Sequence, residues 1–311
     1  LMNFLKVYQQ AFESALEDFN QEKSPQNLYK PIEYLLDLGG KRIRPFMTLM
    51  AAEAYGVSFK KAIGAAMAVE VFHNFTLMHD DIMDKATLRR GKTTVYKKWD
   101  VNTAILSGDA MLIKAYQCLE KYPIDIFQKL TCLLSKTAIE VCEGQQYDID
   151  FETRPDTSEE EYIEMIRLKT AVLVGCALKM GAIIGKASEE DQKAIYDFGI
   201  QLGLAFQLQD DYLDSFGDPE TFGKKIGGDI LKDKKTILYH LAIKTGEEDE
   251  RHLLQFLLGG NETIDDDEKI NKVKSLFEST SAQSATRDFI EHHSDLADIE
   301  LEKLTINEDQ K

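Results

Sequence analysis

Asp80-Asp81-Ile82-Met83-Asp84 closes a long apolar segment, and its pattern returns as Asp210-Asp211-Tyr212-Leu213-Asp214 after another. In a helix, positions i and i+4 lie on one face, so Asp80 and Asp84 point together, as do Asp210 and Asp214. Two such helices facing each other hold at least four carboxylates around one space. That is costly unless a cation sits among them. For oxygen-only ligands the fitting cation is Mg²⁺, which takes one or two carboxylates per ion and completes its shell with water and substrate phosphates. One DDxxD in an acidic chain is ordinarily a solvated helix face. Two copies, each preceded by apolar sequence and followed by basic residues, point to a site.

Upstream of the first motif, a helical segment preceded by Ser58 as a candidate cap carries His73, two turns before Asp80 and nearly in line with it. Glu70-x-x-His73 matches half of a di-iron bundle motif, but no second ExxH follows, which sets iron aside. Arg89-Arg90-Gly91-Lys92 reads as a loop bringing three cations toward the aspartates. Further upstream, Pro31 is expected at the start of a helix that ends at Gly39-Gly40. Gly39-Gly40-Lys41-Arg42-Ile43-Arg44-Pro45 then gives a backbone that approaches a ligand closely, guanidinium forks and a lysine charge, a combination suited to phosphate. Downstream, helices are expected over 100–121, 124–150, 158–186 and 188–214. Gly217 to Gly228 reads as a polar loop, followed by shorter acidic helices.

Composition agrees with helices. The 311 residues are 43% apolar, enough for a sizeable core, and prolines are absent from 46–122 and 156–218. No strand alternation or helical repeat stands out. The fold expected is all-α, a single-domain bundle of about ten to twelve helices over residues 1–311. The net charge of −17 argues against nucleic acid or an anionic membrane surface as the main partner. Acidic runs such as Glu159-Glu160-Glu161 and Asp265-Asp266-Asp267-Glu268 read as solvated helix starts. Cys118, Cys132, Cys142 and Cys176 have no zinc spacing and read as buried free thiols in a reducing cytoplasm. The most apolar segment, 171–185, contains Lys179 and is too short to span a bilayer, so no transmembrane segment is expected.

The ordered set Gly39-Gly40-Lys41-Arg42-Ile43-Arg44-Pro45, His73-x5-His79-Asp80-Asp81-x-x-Asp84, Arg89-Arg90-Gly91, Gly144-Gln145, Lys169-Thr170, Phe206-Gln207-x-x-Asp210-Asp211-x-x-Asp214, Gly223-Lys224-x-x-Gly227-x-Asp229 and Lys234-x-Thr236 resembles the trans-isoprenyl diphosphate synthase (polyprenyl synthase) family. The resemblance implies an isoprenoid synthase fold around a central active-site cavity and a homodimer. It also implies head-to-tail condensation of isopentenyl diphosphate with dimethylallyl, geranyl or farnesyl diphosphate. Asp80, Asp84 and Asp210 match the ligands of a three-Mg²⁺ cluster, with Asp81 and Asp214 supporting it. Arg89, Lys169, Thr170, Gln207, Lys224 and Lys234 match the allylic diphosphate site. Lys41, Arg44, His73 and Arg90 match the isopentenyl diphosphate site. Catalysis then falls to Asp80, Asp81, Asp84, Asp210, Asp211, Asp214, Lys169 and Lys224. Phe75, Thr76 and Phe72, before the first motif, match positions that set product length. A bulky residue five before Asp80 and a small one four before resemble archaeal-type geranylgeranyl diphosphate synthases, and Phe72 would shorten the product toward farnesyl diphosphate. By helical geometry alone Thr76 lies nearer than Phe75 to the direction of Asp80, so the role of Phe75 rests on the resemblance.

The chemistry stands on the residues as well. Breaking an allylic C–O bond requires the departing diphosphate's charge to be stabilised in a dry cavity, which fixed cations and Mg²⁺ supply. No histidine or glutamate stands out as a base; the released diphosphate is the proton acceptor that the resemblance implies. Two alternatives share the fold class: a terpene cyclase, which needs no second diphosphate site, and a non-catalytic regulatory subunit, which typically loses aspartates or cations.

Overall fold

A computed structural model describes residues 2–20, 23–218, 226–260 and 264–310. Helices account for nearly all of it: α1 (Met2–Phe19), α2 (Gln26–Asp37), α3 (Ile43–Ala54), α4 (Ile63–Met83), the single turn α5 (Val95–Lys98), α6 (Val101–Gln117), α7 (Ile124–Thr153), α8 (Glu159–Ile166), α9 (Val172–Ile184), α10 (Glu189–Phe216), the short α11 (Gly228–Leu231), α12 (Ile237–Thr245), α13 (Glu248–Leu257), α14 (Asp266–Ser279) and α15 (Ala282–Glu302). A small antiparallel hairpin, β1 (Leu88–Arg89) with β2 (Lys92–Thr93), follows α4. The expectation of an all-α fold holds. No helix among the described residues is long and apolar enough to cross a membrane.

The described chain forms two compact units. One comprises residues 1–136, 176–196 and 303–311; the other comprises 137–175 and 197–302. In the first, α4 is buried on every side from Ala65 to Phe72. A helix apolar all round belongs at the centre of its unit rather than at the surface. Leu35 and Leu36 of α2, Leu49 of α3, and Met111 and Ala115 of α6 complete this core. In the second unit, Leu168, Leu204, Leu208, Leu238, Val273 and Phe277 are buried.

The helix starts carry their own logic. Ser158 Oγ accepts from Glu161 N at 3.2 Å while Glu161 Oε2 accepts from Ser158 N at 3.0 Å, a reciprocal cap that opens α8. Asp265 caps α14 through Asp267 N and Glu268 N. The acidic runs are therefore helix starts, as read. Three local expectations change. Ser58 makes no side-chain cap; a 3₁₀ turn, Phe59–Ala62, precedes α4. Pro31 lies inside α2 rather than at its first position, because α2 already begins at Gln26 after Pro25. Pro31 gives up one backbone hydrogen bond, but it is buried beside Ile32, Leu35 and Leu36 on the packed face. Of the cysteines only Cys176 is buried; Cys118 is half-buried and Cys132 and Cys142 are exposed on α7, all as free thiols. Along α7 the buried face is Leu130, Leu134 and Val141, and the two thiols lie off it, as do the exposed Ile124 and Ile139.

Candidate active site

In the first unit the chain leaves α2 through Gly39 and Gly40 at φ 78° and 134°. Gly40 is required by its backbone, which lies where side-chain-bearing residues rarely go; a Cβ there would also push on the Arg90 guanidinium, 2.8 Å away at Nη2. Arg90 donates to the Gly39 carbonyl. Arg90 and Gly91 occupy the two turn positions of the hairpin, with φ of 52° and 73°. Positive φ at both positions is what a type I′ turn demands. The sequence reads this stretch as a loop; it is instead a hairpin that aims Arg89 and Arg90 from fixed positions.

Arg42 pairs with Glu70 and donates to the Leu36 carbonyl. Glu70 also accepts from Asn74 Nδ2 at 2.8 Å, so the glutamate of the ExxH pattern is a counter-ion to arginine. Arg44 Nη1 lies 3.4 Å from His73 Nε2. Burial, reinforced by Arg44, Arg90, Arg89 and Arg42, holds His73 well below the ordinary imidazole range. His73 is therefore neutral, and its Nε2 is an acceptor. Among the described residues, Arg44 and Arg90 form no ion pair, and the buried Arg44 Nε has no hydrogen-bond partner. Four guanidiniums thus face two acids, Glu70 and Asp81. The surplus positive charge and an unused buried donor make this a place for an anion. Lys41 is exposed beside the same loop.

Asp81 ties this cluster to the first aspartate motif. It is buried and accepts from Arg89, with Nε 3.0 Å from each carboxylate oxygen and Nη2 2.8 Å from Oδ1. Burial raises its pKa and Arg89 opposes that. Asp84 caps α4, its N–H bonding to the Asp80 carbonyl at 2.8 Å, and its side chain is exposed while Asp80 is half-buried. Phe75 and Phe72 lie five and eight residues before Asp80, ring centroids 5.5 Å apart; Phe72 is completely buried and Phe75 keeps 8% exposure. Thr76 turns its hydroxyl onto the His73 carbonyl at 2.8 Å.

In the second unit, Lys169 and Thr170 lie in a π-helical turn, Arg167–Ala171, between α8 and α9. Such turns widen a helix locally and re-aim its side chains. The turn sits directly on α7 at Gly144, where a Cβ would be 2.3 Å from Lys169 N. Gly144 is therefore a contact requirement. Lys169 Nζ pairs with Asp148 at 2.6 Å. Burial opposes ionisation of Asp148, but Lys169 and Lys234 outweigh it and hold the carboxyl below its usual range. Thr170 Oγ1 donates to Gln207 Oε1 at 3.1 Å, and Gln207 Nε2 donates to Asp211 Oδ1 at 3.0 Å. Tyr162 donates to the other oxygen of Asp211. Burial pushes the Asp211 pKa up to about 8, against the bonds from Tyr162 and Gln207. Asp214 is buried too; its Oδ2 accepts from Asp229 N at 2.9 Å and its carbonyl from Gly227 N at 2.6 Å. Asp210 is half-buried. Lys224 lies outside the described residues.

The two motifs divide alike at their first two positions and differ at the last. Asp81, Asp211 and Asp214 are buried and held by protein donors, whereas Asp80, Asp84 and Asp210 retain exposure. Oxygen-only carboxylates with access to solvent suit a hard divalent cation. No three His, Cys, Asp or Glu side chains form a ready-made cage among the described residues. Magnesium takes one or two carboxylates per ion and fills the rest of its shell with water and phosphate oxygens. Sequence reading missed Asp148 and Tyr162 as partners of the site; it noted Glu70 in the ExxH pattern and Asp229 in the Gly227-x-Asp229 motif without giving either a role.

A family model described as polyprenyl synthetase matches residues 25–278. The chain belongs to the polyprenyl synthetase family. Membership makes it a trans-prenyltransferase of the isoprenoid synthase fold, and polyprenyl synthetases are in general magnesium-dependent. Geranylgeranyl diphosphate synthase of Methanosarcina mazei is 42% identical, over 79% of this chain and 76% of its own. Geranylfarnesyl diphosphate synthase of Natronomonas pharaonis is 38% identical, over 70% of this chain and 69% of its own. A crystal structure of geranylgeranyl pyrophosphate synthase is 55% identical with a TM-score of 0.95, covering 98% of this chain and 94% of that one.

Proposed function

We propose that this polyprenyl synthetase condenses isopentenyl diphosphate head to tail with dimethylallyl, geranyl and farnesyl diphosphates, making an all-trans product of fifteen to twenty carbons. The observation that carries the reading is the surplus of guanidinium charge around Arg44, Arg90 and neutral His73, joined to the first aspartate motif by the Asp81–Arg89 pair. A cation cluster of that kind provides a diphosphate site separate from the metal-binding carboxylates. Condensation of two diphosphates needs both; cyclisation of one needs only the second.

Asp80, Asp84 and Asp210 would hold magnesium, three ions in the reading offered here. When bound, the metal stabilises charge on the departing diphosphate. The remaining work falls to the chain. Lys169 and Lys234, flanking Asp148, offer cations to the allylic diphosphate with Arg89 and Lys224, while Thr170 and Gln207 offer polar contacts. Arg44, Arg90, Lys41 and His73 take isopentenyl diphosphate. Asp81, Asp211 and Asp214 act by orienting their neighbours. His73 is neutral and engaged with Arg44, so the released diphosphate takes the final proton.

One family match spans both compact units, which supports a single polyprenyl synthase domain. Val101, Ile105, Leu106 and Ile113 expose 40–60% of their surface along α6, an apolar stripe that supports a homodimer. A cytoplasmic location goes with the free thiols.

Three expected results follow. Mixing isopentenyl and dimethylallyl diphosphates with the protein releases inorganic diphosphate; EDTA stops the release and magnesium restores it. Release without both substrates present would favour a cyclase or a phosphatase. Arg44→Gln raises KM for isopentenyl diphosphate about 10–100-fold and leaves KM for the allylic substrate within about two-fold, because a charge-assisted contact to one substrate is lost. Equal effects on both substrates would reject that division of labour. Phe75→Ala, removing the ring that retains exposure, lengthens the main product by one or more five-carbon units in mass spectra. An unchanged product would show that Phe75 does not limit length.

A further inference from the structure

We propose that Tyr162 is a positioning residue for the allylic diphosphate site, setting Thr170 and Gln207 through the buried carboxylate of Asp211. The proposal deepens the functional reading above and rests on it. The relay runs from α8 through α10 to the π-helical turn. The Tyr162 hydroxyl donates to Asp211 Oδ2, Gln207 Nε2 donates to Asp211 Oδ1 at 3.0 Å, and Thr170 Oγ1 donates to Gln207 Oε1 at 3.1 Å. Tyr162 and Asp211 expose only 5% and 4% of their surface. With Asp211 ionised, the state that its bonds from Tyr162 and Gln207 favour, each link has a fixed direction. A phenol hydroxyl presented to a carboxylate donates, so Asp211 accepts from Tyr162 on one oxygen and from the Gln207 amide on the other. That fixes which end of the amide is NH₂, leaving Oε1 toward Thr170. Thr170 has a single hydroxyl proton. With the relay intact that proton is committed to Gln207, so the donor the relay holds for the diphosphate is the second Nε2 proton of Gln207.

The middle aspartate of the second motif therefore differs in duty from its neighbour Asp210. Both its oxygens are occupied by protein donors from two different helical segments. Without Tyr162, Asp211 keeps only the Gln207 bond in a buried setting, and the amide is free to rotate. Thr170 and Gln207 then lose their fixed presentation to the diphosphate, although neither has been altered.

The test is a double-mutant cycle on Tyr162→Phe and Thr170→Val, two residues whose hydroxyls are connected by hydrogen bonds through Asp211 and Gln207. In urea unfolding of EDTA-treated protein, the double variant is expected to have a midpoint no lower than that of the worse single variant. In steady-state assays with saturating isopentenyl diphosphate, Y162F is expected to lower kcat about ten-fold and to leave KM for isopentenyl diphosphate within about two-fold. Y162F combined with T170V should be no slower than T170V alone. Additive effects in both measurements would overturn the relay and leave Tyr162 a packing residue. Should Y162F be unfolded at the assay temperature, the cycle is run at a lower temperature at which it is folded, with the same expectations. Full activity in folded Y162F, with wild-type condensation intact, would reject the relay and spare the functional reading; absence of condensation in the wild type would reject the functional reading itself.

Discussion

Asp80→Asn is expected to lower kcat/KM by about three orders of magnitude, as is Asp210→Asn, while the fold of both variants survives. Each substitution keeps the size of the side chain and removes one charged oxygen ligand. Neither residue is fully buried as Asp81 and Asp211 are. The loss therefore falls on catalysis rather than on packing. In the metal-free protein the change even relieves repulsion among neighbouring carboxylates, so the melting temperature should hold or rise. Diphosphate release across a magnesium titration and a thermal melt in EDTA check both halves. More than a tenth of wild-type activity in either variant would contradict the assignment of that aspartate as a metal ligand. The matched change at Asp81 behaves differently: Asp81→Asn strips Arg89 of its buried partner, so stability falls together with activity.

Gly144→Val is expected to be the most damaging substitution at a position that touches no substrate. The first atom of any side chain there would lie 2.3 Å from Lys169 N and 2.8 Å from Leu168 C and Lys169 Cα. Those are backbone atoms of the π-helical turn, so no rotamer change relieves the clash, and the turn must move off α7. Overpacking of this kind costs about 1–3 kcal/mol, and Tm should fall by about 2–5 °C. Activity should fall further than stability does, because displacement of the turn separates Lys169 from Asp148 and Thr170 from Gln207. A thermal melt and a diphosphate-release assay on the same preparation measure both. Wild-type behaviour in the two assays would mean that α7 and the turn do not depend on that contact.

The sequence made some of this architecture legible and hid the rest, for physical reasons. The aspartates are legible because carboxylates at i and i+4 after apolar helix have few purposes. The phosphate loop is legible because two glycines and three cations are crowded into Gly39–Arg44. The hairpin is not: Arg90 takes a positive φ that its residue type does not announce, and two-residue strands are too short for alternation to register. The π-helical turn is hidden because Arg167–Ala171 continues an ordinary helical pattern, and only its packing on Gly144 reveals it. Counter-ions such as Glu70 and Asp148 sit 28 and 21 residues from the cations they hold, a separation at which no local pattern connects them. Tyr162 reads as one more buried aromatic until its hydroxyl is seen on Asp211, 49 residues away. Pro31 and Ser58 show the opposite error: local signals for helix starts gave way to burial of α2's face and to a 3₁₀ entry into α4.

The most direct test of the central claim is a product analysis. The protein is incubated with isopentenyl diphosphate, magnesium and, separately, dimethylallyl, geranyl and farnesyl diphosphates, and the products are read by mass spectrometry. The account predicts a ladder from each primer that ends at fifteen or twenty carbons. Folded protein that yields no condensation product from any primer, or only cyclised hydrocarbons, would contradict it.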